Sequence, residues 1–295
     1  MEPIRHRCAT ELAAILAYAM TTTFTWIRSP HGEVTAHGAH VVRWRSDGRD
    51  VLFVSPRSRF EPGVPIRGGI PLCFPWFGDD PEGRGRSAHG FARRVAWRLV
   101  EEHHDPDALR VAFELAADDS TRALWPFRFR ARLVASLGSV LELAFTVTNE
   151  DERPFRYEEA LHTYLAVGDV RRVTLRGLEG ARYRDKTRAG AIGHEGAEPL
   201  VFTEETDRTY HGIESICTLS DPLLARTLEL VKRGSRSTVV WSPWSDKAAR
   251  LADLGADAWP GFLCVESGNI GPDAVTLEPG ASHTLALCIT VRPNV

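Results

Sequence analysis

The chain has 295 residues, of which 43% are hydrophobic and 25% are charged, close to the average for soluble globular proteins. This composition excludes extended disorder, a collagen-like repeat and a coiled coil. The formal net charge is −3, so there is no general electrostatic attraction to nucleic acid or to an anionic membrane. No apolar run is long enough for a transmembrane helix. We therefore expect neither a nucleic-acid partner nor a membrane partner.

The N-terminal segment differs from the rest of the chain. A basic stretch around His6 precedes an apolar run that ends at Met20, which resembles a signal peptide. The run is short, however, and Glu11 lies at its edge. We expect residues 1–22 to be an extension that is poorly ordered or not native, with a signal peptide as the alternative. Residues 23–295 are expected to form a single domain.

The cysteines are odd in number, and no CxxC pair occurs among them. Scattered cysteines of this kind are typical of free buried thiols in a reducing compartment, which predicts a cytoplasmic protein. The five are Cys8, Cys73, Cys217, Cys264 and Cys288.

Short strand-like runs recur along nearly the whole chain. The segment Phe127–Ala135 alternates apolar and polar residues with a period of two, as a half-buried antiparallel strand does. Gly138 suits the first central position of a type II′ hairpin turn after it. The other clear runs are Val41–Arg45, Val51–Ser55, Ala96–Glu102, Leu109–Ala116, Val140–Thr148, Arg172–Leu175, Thr238–Trp241, Phe262–Glu266 and Thr284–Val291.

Helical periodicity is rare. The better candidates are Ser120–Leu124 and Asp246–Leu254, the second with Ser245 as a possible N-cap. No alternation of strands and helices, no linker and no repeat divides the chain. The pattern predicts an all-β fold, a large antiparallel β-sandwich with few short helices.

Several familiar catalytic motifs are missing, since the sequence has no P-loop, GxGxxG, GxSxG or HExxH segment. His31, His37 and His40 could be imagined as metal ligands. Gly and Ala surround them and no acidic partner is spaced nearby, so solvent-facing loop histidines are the favoured interpretation. We expect no metal site.

Two ionisable residues occur in apolar runs, where charge is costly. Glu266 ends the run Phe262–Glu266, and His162 lies within Ala160–Ala166. Burial would raise the pKa of such a carboxyl group unless a donor or a positive charge compensates. The alternatives are a strand-end Glu that points into water and a hydrogen-bonded core histidine.

Two arginines lie in glycine-containing segments rather than in charge-rich loops. Arg67 precedes Gly68 and Gly69, which allow the backbone to approach a ligand closely, and Arg93 follows a His-Gly-Phe-Ala segment. A guanidinium binds an anion with a fork of donors. Either arginine taken alone could equally be a surface residue.

Six segments together resemble a known family, the glucose-6-phosphate 1-epimerases (hexose-6-phosphate mutarotases) of the aldose 1-epimerase superfamily. Their order is the family's order, and they span about residues 35–292. The segments are Arg67-Gly-Gly-Ile-Pro-Leu-Cys-Phe-Pro-Trp-Phe-Gly78, Ala88-His-Gly-Phe-Ala-Arg93, Leu161-His-Thr-Tyr164, Thr206-Asp-Arg-Thr-Tyr210, Val240-Trp-Ser-Pro-Trp244 and Cys264-Val-Glu266.

The resemblance implies a galactose-mutarotase type of β-sandwich, no cofactor, and interconversion of the α and β anomers of a hexose 6-phosphate, most simply glucose 6-phosphate. By motif position His162 and Glu266 would be catalytic, while Arg67, Arg93 and Asp207 would contact the substrate. The partner would be a small hexose phosphate, and the protein is expected to be a monomer.

Departures from the family pattern affect the substrate range. His89 belongs to one motif and could line the pocket, but Ala88 stands where the family usually carries a substrate-contacting Gln. Two alternatives stay open: an aldose 1-epimerase acting on unphosphorylated hexoses, and a non-catalytic sugar-phosphate-binding protein.

The chemistry of anomer exchange suits the residue types. A proton must reach the ring oxygen while another leaves the anomeric hydroxyl, and a histidine with a carboxylate can do both near neutral pH. We expect Glu266 to act as the base and His162 as the acid. Asp207 would anchor sugar hydroxyls, and Arg67 and Arg93 would hold the phosphate.

Overall fold

A computed structural model describes residues 24–294, so the predicted extension at 1–22 lies outside the described residues. The strands are β1 (Trp26–Ser29), β2 (Gly32–Thr35), β3 (His40–Ser46), β4 (Arg49–Asp50), β5 (Leu72–Cys73), β6 (Arg98–His104), β7 (Leu109–Ala116), β8 (Phe129–Leu137), β9 (Leu141–Asn149), β10 (Phe155–Tyr157), β11 (Glu159–Leu161), β12 (Tyr164–Ala166), β13 (Thr174–Arg176), β14 (Arg182–Asp185), β15 (Ala191–His194), β16 (Leu200–Val201), β17 (Thr206–His211), β18 (Cys217–Asp221), β19 (Arg226–Arg233), β20 (Ser237–Ser242), β21 (Phe262–Asn269), β22 (Val275–Leu277) and β23 (Ser282–Pro293).

Helices between residues 24 and 294 are short. The α-helices are α1 (Asp119–Leu124) and α2 (Trp244–Arg250), and the 3-10 turns are Ala92–Arg94, Val170–Arg172, Lys186–Arg188, Trp259–Gly261 and Gly271–Asp273. None of the helices in this range is long and apolar enough to cross a membrane.

Two large antiparallel sheets contain most of the strands. The nine-stranded sheet has the order β16-β13-β18-β19-β23-β9-β8-β7-β6. The eight-stranded sheet has the order β15-β14-β17-β20-β21-β11-β5, and β12 also pairs with β21. A smaller sheet contains β1 to β4, and β10 pairs with β22. The predicted all-β, antiparallel fold is confirmed.

The main core lies between the two large sheets. Along β8 and β9 alternate side chains are buried, as expected for strands with one face on a core. Phe145 and Leu287 of the nine-stranded sheet belong to the same apolar cluster as Leu161, Val240 and Val265 of the eight-stranded sheet. The two sheets therefore pack face to face as a sandwich.

The opposite face of the eight-stranded sheet carries separate apolar clusters. Tyr164, Trp241 and Cys264 lie together there, and Ala248 of α2 packs against them. Because successive side chains of a strand point to opposite faces, Glu266 shares this outer face with Cys264. All eight residues of β21 are buried, so this strand is covered on both sides.

Three local predictions are wrong. The run Val51–Ser55 contains only isolated bridges, at Leu52 and Val54, and is not a strand. Helix α2 begins at Trp244 after Pro243 and has no side-chain cap, so Ser245 lies inside the helix rather than before it. The β8–β9 connection is not a two-residue turn, because Leu137 pairs with Leu141 and leaves three residues between them. Gly138 is also not in the left-handed region that a type II′ turn requires there.

The cysteines between residues 24 and 294 are free. Cys73, Cys217 and Cys264 are buried and Cys288 is partly exposed, in agreement with the sequence, while Cys8 lies outside the described residues.

Candidate active site

The carboxylate of Glu266 lies on the outer face of the eight-stranded sheet, in the interior of β21. Glu266 pairs in register with Val239 of β20, and only 1% of its surface is exposed. The strand continues for three residues beyond it, to Asn269. The interpretation of Glu266 as a strand-end residue in water is therefore wrong, and the buried alternative holds.

His162 meets Glu266 because two short strands flank β21. Leu161 of β11 pairs with Ser267, and Tyr164 of β12 pairs with Cys264, so the residues between the two strands turn in front of β21. The backbone N–H of His162 donates to Pro71 O at 3.0 Å, which fixes this turn. As a result His162 Nε2 lies 3.4 Å from Glu266 Oε1.

Burial dominates the electrostatics of this pair. It raises the pKa of Glu266 well above its ordinary value, the nearby Asp207 carboxylate adds to the rise, and the charges of Lys186 and Arg93 oppose it. Burial lowers the pKa of His162 well below its ordinary value, and Arg93 lowers it further. The protein therefore favours the uncharged form of both groups. His162 Nδ1 and Glu266 Oε2 are buried without a hydrogen-bond partner in the part of the chain that the structure describes.

Aromatic rings fix the plane of the His162 imidazole. The Tyr164 ring stacks on it with centroids 4.8 Å apart and planes 11° apart. The rings of Trp241 and His89 contact it edge-on at 6.0 and 5.7 Å. These contacts hold the imidazole in one orientation toward Glu266.

Arg67 lies close to the same aromatic group. Its Nε donates to Asp253 Oδ2 at 3.0 Å, its Nη2 lies 2.9 Å from the same oxygen, and its Nη1 donates to the Tyr164 hydroxyl at 3.1 Å. A Cβ at Gly69 would lie 2.4 Å from Val41 O, so only glycine permits this close backbone approach. Arg67 is thus brought to the site, and Asp253 is a residue of the site that the motifs did not predict.

Arg93 follows the tight turn of its motif and lies in the 3-10 turn Ala92–Arg94. A Cβ at Gly90 would lie 2.0 Å from Phe74 O, which explains the glycine. Arg93 Nη2 donates to Ala88 O at 2.9 Å, while its buried Nε has no hydrogen-bond partner within residues 24–294. The guanidinium therefore keeps donors that no protein group uses.

His89 belongs to the same wall. Its Nδ1 lies 3.5 Å from Cys73 Sγ, and the N–H of Gly78 donates to that nitrogen at 3.3 Å. Burial lowers the pKa of His89 well below its ordinary value, and the charge of Arg93 lowers it further. His89 is therefore a neutral, oriented ring beside His162.

Asp207 comes from β17, where it pairs in register with Trp241 of β20 and so shares the outer face. Lys247 Nζ lies 3.6 Å from its Oδ2. Burial raises its pKa, and the charges of Lys186 and Lys247 oppose the rise. The structure thus brings together all six residues that the sequence singled out: His162, Glu266, Arg67, Arg93, Asp207 and His89.

Of the three histidines near the start of the described chain, His37 and His40 do not face solvent. His37 and His40 are 5% and 0% exposed, and their Nε2 atoms bond to the carbonyls of Val64 and Gly68 at 2.9 and 2.8 Å. Burial lowers the pKa of His40 to about 3. The prediction of loop histidines in water is wrong for His37 and His40, which are core residues, and His40 holds the backbone next to Arg67. His31 lies in a turn and is partly exposed. No group of three or more His, Cys, Asp or Glu residues within 24–294 could hold a metal ion.

The chain is similar to known proteins over almost its whole length. The family model for aldose 1-epimerase matches residues 29–290. A relative from Cenchrus ciliaris, provisionally named glucose-6-phosphate 1-epimerase, is 33% identical over 89% of this chain and 82% of its own length. A relative of the same provisional name from Salmonella typhimurium is 30% identical over 96% of both chains.

A solved structure is similar as well. A provisionally named mutarotase from Salmonella typhimurium superposes with a TM-score of 0.84 at 29% identity, and the match covers 91% of this chain and 90% of that one. Together with the family match, this shows that the chain belongs to the aldose 1-epimerase family and is an isomerase of the mutarotase type.

Proposed function

We propose that the protein interconverts the α and β anomers of a hexose 6-phosphate, with glucose 6-phosphate as the first candidate. The observation that carries this proposal is the 3.4 Å distance between His162 Nε2 and Glu266 Oε1 on a buried face. The two oxygens that exchange protons in this reaction are bonded to the same carbon. An acid and a base that reach both must lie side by side, as these two groups do.

The proposed steps conserve protons. Glu266 takes the proton of the anomeric hydroxyl while the His162 imidazolium donates a proton to the ring oxygen. The bond between the anomeric carbon and the ring oxygen breaks, and an open-chain aldehyde forms. After rotation about the C1–C2 bond, the C5 hydroxyl attacks the other face of the aldehyde and returns its proton to His162, while Glu266 gives its proton to the aldehyde oxygen.

Burial assists the first half of this cycle. After ring opening Glu266 is protonated and His162 is neutral, which are the forms that desolvation favours for both groups. The surroundings therefore stabilise the enzyme in the state that accompanies the open aldehyde.

The remaining residues offer contacts for the rest of the substrate. Asp207 can accept hydrogen bonds from sugar hydroxyls, and His89 borders the ring of the catalytic histidine. Arg93 has unused donors, and Arg67 keeps one N–H on each terminal nitrogen after its bonds to Asp253 and Tyr164. The names of the Cenchrus and Salmonella relatives support a phosphorylated substrate.

The test is nuclear magnetic resonance magnetisation transfer between the two anomers, with glucose 6-phosphate and glucose as parallel substrates. We expect faster exchange of the phosphorylated sugar. His162→Gln and Glu266→Gln should each reduce it by roughly 10²- to 10⁴-fold, the usual contribution of a positioned acid or base. Full activity in either folded variant would contradict the assignment.

A matched control exists elsewhere in the chain. His283 Nε2 lies 3.2 Å from Glu159 Oε1, a second pair, of a buried glutamate and a partly exposed histidine, outside the candidate site. His283→Gln should retain activity. A comparable loss in that variant would mean that activity reports stability rather than proton transfer.

A second candidate function has one observation in its favour. Asp253 neutralises Arg67, and Ala88 provides no side-chain amide, so fewer groups than the motifs suggest are ready to hold a phosphate. An aldose 1-epimerase for unphosphorylated hexoses would need only the acid–base pair and Asp207. Equal kcat/KM for glucose and glucose 6-phosphate would favour this alternative.

A further inference from the structure

The cations around the site differ in what they already bind. Arg67 is paired with Asp253 at 2.9 Å, and Lys247 is paired with Glu205 at 2.8 Å. Arg93 donates to a backbone carbonyl, which leaves its charge uncompensated. The ammonium group of Lys186 has neither an ion-pair nor a hydrogen-bond partner among residues 24–294. Instead, it lies over the ring of Phe77.

Lys186 lies directly after the end of strand β14. In the antiparallel pair of β14 and β17, Asp185 lies opposite Arg208. Lys186 comes next and begins the 3-10 turn Lys186–Arg188. Its ammonium lies over the Phe77 ring, which contacts the His89 ring beside His162.

A row of rings connects Lys186 to the catalytic pair. Lys186 Nζ lies 4.7 Å from the centroid of the Phe77 ring, and that ring contacts the His89 ring edge-on at 4.6 Å. The His89 ring contacts His162 at 5.7 Å. Lys186 itself is exposed, so its ammonium marks the solvent side of this row. It is positioned at the entrance of the site.

A phosphate group entering this site meets two carboxylates, Glu266 and Asp207. A phosphate carries close to two negative charges at neutral pH, so a compensating cation is needed nearby. Burial raises the pKa of Glu266, and Lys186 is the charge that opposes this rise most strongly. The same charge opposes most strongly the rise that burial causes in the pKa of Asp207. Lys186 is therefore close enough to act on both.

The residue type is unusual for this chain. Lys186 is one of only three lysines among 36 lysines and arginines. Of the other two, Lys232 is buried and Lys247 is held by carboxylates. Exposed cations elsewhere are arginines. A lysine supplies a compact point charge on a flexible stem, which suits a phosphate whose position shifts as the sugar ring opens and closes.

We propose that Lys186 is a phosphate-binding residue at the entrance of the site, which together with Arg93 selects phosphorylated over neutral hexoses. This inference rests on the proposed function and adds a specificity-determining residue that no motif of the sequence contains. Arg93 would hold the phosphate from the inner side and Lys186 from the solvent side.

The experiment compares wild type, Lys186→Met and Lys186→Arg on glucose 6-phosphate and on glucose. We expect Lys186→Met to lose roughly ten- to a hundredfold in kcat/KM for the phosphorylated sugar, mainly through KM, because one charged hydrogen bond is lost. Activity on glucose should stay within about twofold, and Lys186→Arg should recover part of the loss. Equal losses on both sugars, or a shifted pH profile of kcat, would overturn the proposal, because Lys186 would then act through Glu266.

A matched control lies on the same 3-10 turn. Arg188 is exposed and pairs with Glu204 at 3.2 Å, so Arg188→Met removes an equal charge without touching the site. It should leave both activities within about twofold. A loss like that of Lys186→Met would overturn the proposal in favour of a general surface-charge effect.

Inorganic phosphate provides a readout that does not depend on the identity of the sugar. We expect it to inhibit wild type competitively, with an inhibition constant that rises about tenfold or more in Lys186→Met. An unchanged constant would overturn the role of Lys186. If instead wild type does not prefer glucose 6-phosphate but the constant still rises, the proposed substrate fails while the phosphate site stands.

Discussion

Tyr164 joins Arg67 to His162: its ring stacks on the imidazole at 4.8 Å, and its hydroxyl accepts a hydrogen bond from Arg67 at 3.1 Å. Asp253 fixes the other side of the guanidinium. Burial raises the pKa of Tyr164, so the hydroxyl stays protonated. Arg67 is therefore a positioning residue for His162 as well as a candidate contact for the substrate.

Substitutions of Tyr164 should separate the effect of its stacking on His162 from the effect of its hydrogen bond with Arg67. Tyr164→Phe keeps the stacked ring and loses one hydrogen bond, so we expect kcat to fall less than about tenfold. Tyr164→Leu also removes the ring that orients the imidazole, and a misplaced catalytic group costs about a hundredfold. Magnetisation transfer at saturating sugar gives both values. A Tyr164→Leu variant with wild-type kcat would show that the stacking is not needed.

Selectivity for phosphate should depend on Arg93 more than on Arg67. Arg93 has unused donors and no carboxylate partner, whereas Arg67 is neutralised by Asp253. We expect Arg93→Ala to lose roughly ten- to a hundredfold in kcat/KM for glucose 6-phosphate with a far smaller loss for glucose. Arg67→Ala should reduce both, because it also disturbs Tyr164. The ratio of the two kcat/KM values in each variant is the measurement, and equal ratios in both variants would contradict the distinction.

Ala88 offers a gain-of-contact test. The resemblance to glucose-6-phosphate 1-epimerases places a substrate-contacting Gln at this position, beside the carbonyl that accepts from Arg93. Ala88→Gln should tighten binding of glucose 6-phosphate about two- to tenfold, the net value of one hydrogen bond. The dissociation constant can be measured calorimetrically in a Glu266→Gln background. Unchanged or weaker binding would show that another group already fills this place.

Lys232 should make stability depend on pH. Its ammonium donates to Ser237 O and Thr238 Oγ1, and burial lowers its pKa from 10.5 to about 8. Between these values the unfolded chain binds more protons than the folded one, so this residue makes the protein more stable as the pH rises. The gain should approach about 3 kcal/mol across the interval.

The comparison for Lys232 is with Lys232→Met. Urea unfolding at pH 7.5 and at pH 10 gives the free energy of unfolding of both proteins, and groups that titrate in both cancel in the difference. The free energy of unfolding of wild type should increase relative to that of the variant as the pH rises. Parallel behaviour of the two proteins would mean that Lys232 is not desolvated as the structure indicates.

Elements with strong periodicity could be predicted from the sequence. The strand Leu109–Ala116 has the predicted limits, and the alternation after Phe127 correctly gave a half-buried strand. Local signals failed where backbone geometry decides. Trp244 enters α2 with a φ of 55°, which moves the start of the helix away from Ser245. The pairing of Leu137 with Leu141 sets the length of the β8–β9 turn, and it overrides the preference of Gly138 for a two-residue turn.

The same division holds for the site. His162 and Glu266 could be found because ionisable residues in apolar runs are rare, and the motifs located the other four. Asp253 and Lys186 could not, since each is a charged residue in a polar segment and looks like ordinary surface. The segment after α2 brings Asp253 to Arg67, and the Phe77 ring links Lys186 to His89. The sequence has only three lysines, which marks Lys186 as unusual but does not show where it lies in the fold.

The strand that carries Glu266 has neighbours on both edges, because β20 lies on one side and β11 and β12 on the other. Amide hydrogens in such a strand exchange with solvent deuterium only when the sheet opens. The amide of Glu266 should therefore be among the slowest to exchange, and substrate should barely alter its rate. The sheet around Glu266 would then stay paired through many turnovers, and the sugar, rather than the strand, would change conformation during the reaction.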